Sequence, residues 1–312
     1  MTILLRTLIP IALAVSVLFP GCQKEHKLTT HGPSFEFGYE FKAGSIYFSD
    51  TLALQSAMDA YVLDPEEFIE GLPANFRSYS DAMNAALNTK GEALLEYGTF
   101  NSLNTFDPHI QIGFFQEVAN TDRQVTVGTQ VYEFTSRDTL TIRNSSDNSI
   151  VRHPITYHDV LMQNQIVPRS ERNCEIYTGL DAYPDQPCGR TRFRTKIRTV
   201  NAVAVCALEI RSVFEDEDPQ YIAPSGCNWK PITWLSSWRV SGRVTAKWRR
   251  IFKRTRTIGD SFDYTVSNSS NHTKPLFYAA GSKAGFLTGT NGSARMDVTF
   301  RDVDRTCTAT VD

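Results

Sequence analysis

The feature that most constrains this chain is a strict two-residue alternation in its C-terminal half. Phe193, Thr195, Ile197 and Thr199 fall on one side of an extended segment, and Arg192, Arg194, Lys196 and Arg198 on the other. From 238 to 249 the pattern returns: Trp238, Val240, Gly242, Val244, Ala246 and Trp248 alternate with Arg239, Ser241, Arg243, Thr245, Lys247 and Arg249. A period of two belongs to strands, whose successive side chains point to opposite faces; a helix would scatter these residues round its circumference. One apolar and one polar face predict half-buried antiparallel strands. Leu208, Ile210 and Phe214 mark another strand, and Phe262, Tyr264 and Val266 one more. Met296, Val298 and Phe300 mark a further one, preceded by Asn291–Gly292, a pair suited to a tight hairpin turn. Short strands with turn signals and no helical period between them predict an antiparallel β-sandwich-like domain over 189–312.

The preceding part reads differently. Leu54, Ala57, Met58 and Tyr61 recur at helical spacing behind Ser49 or Asp50 as cap. Asp64 followed by Pro65, Glu66 and Glu67 starts a second helix, because Asp caps, Pro suits the first turn and acids favour the positive end of the dipole. A third begins near Ser80, with Met83, Ala86 and Leu87 on one face. Past Asp107–Pro108 strands are expected: Val125 and Val127, a turn at Gly128–Thr129, then Val131, Tyr132 and Phe134, and then Leu140 and Ile142 before a polar turn at Asn144 to Ser149. The fold class expected is α+β, with a helix-containing region over 34–188 followed by the antiparallel β domain. Charge divides at the same line. Residues 22–188 hold 11 basic and 23 acidic side chains, and 189–312 hold 20 basic and 11 acidic.

Residues 1–21 have the layout of a secretory signal: Arg6, an apolar stretch from Leu8 to Phe19, then Gly21 before Cys22. Leu18 to Cys22 resembles the lipobox of bacterial lipoproteins, although Phe19 and Pro20 depart from its commonest form. That resemblance implies acylation of Cys22, a polar tether over 22–33 and the lipid bilayer as a partner; several acyl chains anchor stably where one is marginal. Beyond the leader no apolar run approaches the roughly 20 residues of a membrane-spanning helix. An oxidising compartment favours pairing among Cys174, Cys188, Cys206, Cys227 and Cys307, which leaves one thiol over. Cys174 and Cys188 flank an irregular segment with Gly179, Pro184 and Pro187, making them the first choice for a bridge worth roughly 3 kcal/mol. Cys206 and Cys307 lie in register with apolar residues and are expected to face the core. No CxxC spacing is present, so no zinc site is expected.

Two sets of side chains are candidates for binding. The cations Arg192, Arg194, Lys196 and Arg198 on one strand, and Arg239, Arg243, Lys247 and Arg249 on another, would attract an anionic glycan or lipopolysaccharide phosphate if they face solvent. The competing reading is that the acidic region neutralises them, or that their stems simply cover exposed strands. Nucleic acid is not expected as a partner, since no recognised motif accompanies the charge. Trp238 and Trp248 lie in strand register and belong to the core, whereas Trp229 and Trp234, in a stretch with Pro and Gly, are candidates for stacking on sugar. His153, His158 and Asp159 have no shared face for a metal, and Glu215 to Asp218 before Pro219 reads as a solvated acidic turn rather than a calcium loop. HExxH, GxSxG, P-loop and GxGxxG motifs are missing, so no catalytic residue, metal or cofactor is assigned. Carboxylate pairs for glycoside hydrolysis leave no motif, being defined by their separation in space.

The segments FSDTLALQSAMDAY at 48–61, DPHIQIGFFQEVANTDRQVTVGTQVYEFT at 107–135 and RTKIRTVNA at 194–202 together resemble uncharacterised lipoproteins of the Bacteroidota. The resemblance implies a lipid-anchored location in the cell envelope, at the periplasmic or surface face of the outer membrane, and carries no reaction. The function expected is non-catalytic binding or surface interaction. A glycan-directed envelope hydrolase and a structural or fimbrial-type subunit are the alternatives. A cleft with converging carboxylates would mark the first, and a long unpaired edge strand the second.

Overall fold

The computed structural model describes residues 38–87, 92–102, 105–161, 176–178, 191–223, 226–231, 236–250, 253–267, 271–281, 284–300 and 303–311. Cys22, Cys174, Cys188 and Trp234 lie outside the described residues. The chain opens with a hairpin of β1 (Tyr39–Lys42) and β2 (Ser45–Phe48). Asp50 then caps α1 (Thr51–Leu63), accepting from Leu52 N at 2.7 Å and Ala53 N at 2.9 Å. Asp64 caps α2 (Pro65–Glu70) in the same way, through Glu66 N and Glu67 N. The four residues at helical spacing in α1 are its buried apolar face, joined by Gln55. Gln55 donates to Tyr278 O and accepts from Ala280 N at 2.7 Å, which satisfies main-chain groups of a strand more than 200 residues away. After α3 (Tyr79–Leu87) and a 3-10 turn over Glu92–Glu96 come β3 (Gly98–Phe100), β4 (Phe106–Pro108) and α4 (Gly113–Val118).

The rest is strand. First come β5 (Gln124–Val127), β6 (Gln130–Ser136), β7 (Thr139–Asn144), β8 (Ile150–Pro154), β9 (Thr156–Leu161) and β10 (Ile176–Thr178). They are followed by β11 (Thr191–Asn201), β12 (Val205–Ala223), β13 (Gly226–Pro231) and β14 (Ser236–Arg249). The series ends with β15 (Arg256–Ser267), β16 (Asn271–Ala280), β17 (Phe286–Phe300) and β18 (Val303–Val311). Among the described residues one sheet runs β1-β2-β5-β6-β7-β8, with β2 and β5 parallel. A second runs β10-β11-β12-β13, with β9 also on β11 and β16 also on β12; a third runs β15-β14-β17-β18, and β3 pairs with β4. The molecule is therefore mostly antiparallel β with few helices, nearer to all-β than to the α+β class expected, because the region 34–188 itself carries the ten strands β1–β10 beside its short helices and every element named after it is a strand. Among the described residues no helix is long and apolar enough to cross a membrane.

Two apolar cores are built on the second sheet, one on each face. The first gathers α1, α2, α4 and the first sheet with Val200, Val205, Ala207 and Tyr278, so it draws on both sides of residue 188. The second packs Phe193, Ile197, Leu208, Ile210 and Phe214 against Trp238, Val240, Val244, Phe262 and Val266 of the third sheet. The described residues all fall within one compact unit. Two local expectations are corrected. Asn291–Gly292 makes no hairpin but lies inside β17, opposite Thr245 and Val244. A Cβ on Gly292 would come within 2.2 Å of Arg243 O, so the glycine serves close approach of strands rather than a turn. The acidic run 215–218 is no solvated turn either, since it lies within β12 and Glu215 is buried.

Candidate functional site

The strand β11 is covered on both faces. Its odd-numbered residues enter the second core, and its cations face the segment 105–113 of the opposite layer, where Arg198 has 0% and Arg192 7% of its surface exposed. The expectation that this basic face meets solvent is thus overturned. Burying a cation is tolerated only when it is paired and hydrogen-bonded, and the register supplies the acids. Arg198 stands opposite Asp159 of β9 and Glu209 of β12, and Arg192 stands opposite Glu215. Arg198 donates to both oxygens of Asp159 at 2.6 and 2.8 Å, and Lys196 Nζ adds a third contact to the same carboxylate at 2.8 Å. Glu215 accepts from Arg192 Nε at 2.7 Å and from Arg194 Nε and Nη2 at 2.7 and 2.6 Å.

Burial alone would raise both carboxyls, but Arg198 and Lys196 hold Asp159 well below the ordinary range, and Arg194 with Arg192 hold Glu215 below it. Glu209 differs: burial pushes its carboxyl up, although Oε1 accepts from Tyr278 OH and from Gly113 N at 2.8 Å. Gln111 closes the ladder by accepting from Arg198 Nη1 and, at 3.3 Å, from Arg211 Nη1. Asp159 and Glu215 are thereby each held by two cations. The layer is an internal seam of paired charges in which Glu209 Oε2 and Arg211 Nε are buried without a hydrogen-bond partner among the described residues.

Trp229 belongs to the same seam. It lies in β13 with 6% exposure, and the Arg192 guanidinium sits 4.1 Å from its ring centroid, so it is a buried partner of a cation rather than an exposed platform for sugar. His158 is exposed while Asp159 faces the arginines, as neighbours on a strand must, which separates them as metal ligands. Cys206 is a free, buried thiol of the second core, pushed up to about 11 by burial, and Cys227 is disulfide-bonded. In that core Ser212 Oγ lies 3.0 Å from both Thr195 Oγ1 and Tyr264 OH, and the His272 ring stacks 4.7 Å from that of Tyr264. Burial and the nearby Lys274 lower His272 to about 4, leaving it neutral, and both Ser212 and Thr195 are fully buried, closed to any substrate.

The second cationic strand has the opposite fate. In β14 Trp238, Val240, Val244 and Ala246 are buried while Arg239, Arg243, Lys247 and Arg249 are exposed, as the alternation requires. Among the described residues Arg239 is the one with acids beside it: it pairs with Asp263 and stands opposite Asp297. Arg243 faces Ser261 and Ser293, Lys247 faces Thr257 and Thr288, and Arg249 faces Phe286. Where β14 turns toward β15 the cations close round a cleft of about 330 Å³, lined by Trp248, Arg250, Lys253, Arg254 and Arg256. Arg250 lies 5.8 Å from the centroid of the Trp248 ring, and that ring also packs against Phe277, 5.0 Å between centroids. Among the described residues no acid lines this cleft.

None of the residues expected to bind anions lines this cleft; Lys247 and Arg249 lie at the end of β14 that leads into it, and the four of β11 lie in the seam. The cleft residues themselves were not singled out by alternation, since 250–255 breaks the period. A signal for them does exist: from 219 to 259 the chain has nine cations and no acid. The molecule is thus a mostly antiparallel β protein with an interior seam of paired charges and a basic cleft that no acid among the described residues lines. Compared with protein-family models, with curated proteins and with solved structures, the chain matches none.

Proposed function

We propose that this protein is an envelope lipoprotein, anchored through acylated Cys22, which binds an anionic glycan or lipopolysaccharide-type ligand without transforming it. The observation that carries the reading is the contrast in neutralisation. Asp159 and Glu215 hold the inner cations Arg192, Arg194, Lys196 and Arg198, whereas on β14 Arg243 and Lys247 stand exposed with hydroxyl side chains as their cross-strand neighbours and no acid among the described residues lines the cleft. A concentration of one sign on a concave surface raises the local concentration of counter-ions and speeds their association. The second and third sheets, sharing one core, support a two-layer β-sandwich as the platform. A hydrolase reading has less support: the described cleft holds no carboxylate, and Asp159 and Glu215 are tied up by guanidinium groups.

The test is retention of the full mature chain on immobilised heparin at low salt, with elution as salt rises. Retention that weakens steeply with salt is expected, because exposed charges are screened over about 8 Å at physiological ionic strength. Passage of the chain without retention would end the anion-binding reading. Labelling with a fatty-acid analogue that marks the wild type and spares Cys22→Ala supports the anchor, and equal labelling of both removes it.

A further inference from the structure

Three turns far apart in the chain are brought to one end of the second and third sheets. Asn201, the last residue of β11, holds the main chain of Leu287 in β17: its Nδ2 donates to Leu287 O at 3.2 Å and its Oδ1 accepts from Leu287 N at 2.7 Å. Gly281, just past β16, donates to Ala204 O at 2.9 Å. Gly285 runs so close to the end of β14 that a Cβ there would come within 2.6 Å of Arg249 O. The turn after β11, the end of β14 and the start of β17 are thereby neighbours. They hold two apolar side chains out in the open: Val203 is 63% exposed, and Phe286 is 58% exposed and stands directly opposite Arg249. Arg249 is itself exposed, and exposed Lys253, Arg254 and Arg256 follow it. The segments 201–205, 249–256 and 281–287 contain no Asp or Glu. We propose that this end of the molecule docks on an anionic lipid bilayer, with Phe286 and Val203 entering at head-group level and Arg249, Lys253, Arg254 and Arg256 meeting lipid phosphate. This rests on the anion-binding reading above and names its partner as a membrane surface. Charge alone suits any polyanion, and the apolar pair is what separates them. A hydrated polymer leaves Val203 in water, whereas the boundary between head groups and acyl chains takes apolar side chains and cations together, each at its own depth. Each cation near such a surface gains about fivefold in affinity, and apolar area taken out of water adds to that. An acyl anchor at Cys22 is the natural complement, because one lipid chain holds marginally and a chain joined to a basic patch holds stably.

The experiment is co-sedimentation of the full mature chain with vesicles at low salt, the chain carrying Cys22→Ala so that no acyl group contributes. Two kinds of vesicle are used: phosphatidylcholine alone, and equimolar phosphatidylcholine and phosphatidylglycerol. Binding to the mixed vesicles is expected to be at least roughly tenfold tighter than to phosphatidylcholine and to fall as salt rises. Arg254→Gln is expected to weaken it roughly fivefold. Phe286→Ser is expected to weaken it roughly tenfold while leaving retention on heparin unchanged, since a phenylalanine brings no charge to heparin. Leu63→Ser is the control. Leu63 is 84% exposed, but it ends α1 about 18 Å along the helix from Thr51, which abuts Gly281, so its replacement should alter neither readout. Should Phe286→Ser not fold, Val203→Ser, in the neighbouring turn, carries the same expectation. Heparin retention without binding to the mixed vesicles overturns the docking surface and leaves a soluble polyanion as the ligand. Equal binding to both kinds of vesicle overturns it as well, and so does binding to the mixed vesicles that neither apolar substitution weakens. No heparin retention at all is the separate failure of the anion-binding reading.

Discussion

The strands β11 and β14 are written in the same alphabet, a cation at every second or fourth position with apolar or hydroxyl residues between, and the molecule uses them in opposite ways. Both are interior strands of their sheets, hydrogen-bonded on each side. What differs is the layer above the cationic face. Over β11 lie the segment 105–113 and the first core, and acids stand in register at Asp159, Glu209 and Glu215. Beside the cations of β14 past Arg239, the neighbouring strands present Ser261, Ser293, Thr257 and Thr288. Sealing β11 costs the hydration of four cations, which close pairing offsets; sealing β14 in the same way would leave three of its four cations unpaired, at several kcal/mol each. The comparison teaches that the partner strands, rather than the strand itself, decide whether a charged face becomes a seam or a surface.

The largest expected effect comes from breaking the seam. Arg198→Met leaves the mostly buried Asp159 to Lys196 alone and is expected to lower unfolding free energy by about 3–5 kcal/mol in a urea titration. Replacing both Arg198 and Asp159 by apolar residues of similar size should restore much of that loss. A loss under about 1 kcal/mol for the single variant would show that the seam is wetter than its geometry implies.

Acids sharpen the comparison through pH. Asp159 and Glu215 are held below their ordinary values by the cations around them, so the stability they contribute is present above the ordinary carboxylate range and is lost as pH falls below it. Glu117 of α4 is the reverse case: burial raises it from 4.5 to about 7, with Asp81 adding to the rise against a hydrogen bond from Ser80. Its contribution is complete below pH 4.5 and is lost as pH rises through about 7. Glu117→Gln is therefore expected to flatten the decline of stability across that window and to leave the acid limb in place, as read from urea midpoints at a series of pH values. An unchanged slope between those two pH values would mean that Glu117 is solvated in the fold.

The smallest effects belong to β14. Arg239→Ala removes an exposed pair with Asp263 and is expected to move the urea midpoint only slightly, less still at high salt. Arg249→Ala should change stability by no more than about 0.5 kcal/mol while lowering the salt needed to elute the chain from heparin. A large loss of stability from Arg249→Ala would place that residue in a seam of its own and erase the contrast.

Local signals carried a good deal of this fold. The buried face of α1 is Leu54, Ala57, Met58 and Tyr61, as the helical spacing required, and Asp50 and Asp64 cap as their chemistry requires. The two faces of β14 also follow the alternation residue by residue. The helix α4 was not legible, because Gly113, Phe114, Phe115, Gln116 and Val118 are all buried and a six-residue helix hidden on every side has no polar stripe to show a period. Trp229 read as an exposed ring because its stretch holds Pro and Gly, and it is buried because β13 folds back antiparallel on the long strand β12 and brings the ring under Arg192. The cleft was visible only as the run from 219 to 259 with no acid, a compositional sign that does not say which cations converge.

By itself, then, the sequence determined period and polarity: which segments extend, which side chains share a face, where helices start, and how charge is divided along the chain. Those properties depend on neighbours within a turn or two, where spacing alone places side chains together. Tertiary structure decided what lies opposite each face. Whether Arg198 meets Asp159 or water, and whether Arg254 meets an acid or an open cleft, depends on the register of strands far apart in sequence, and the free energy of a charge is set by what stands within a few ångströms of it.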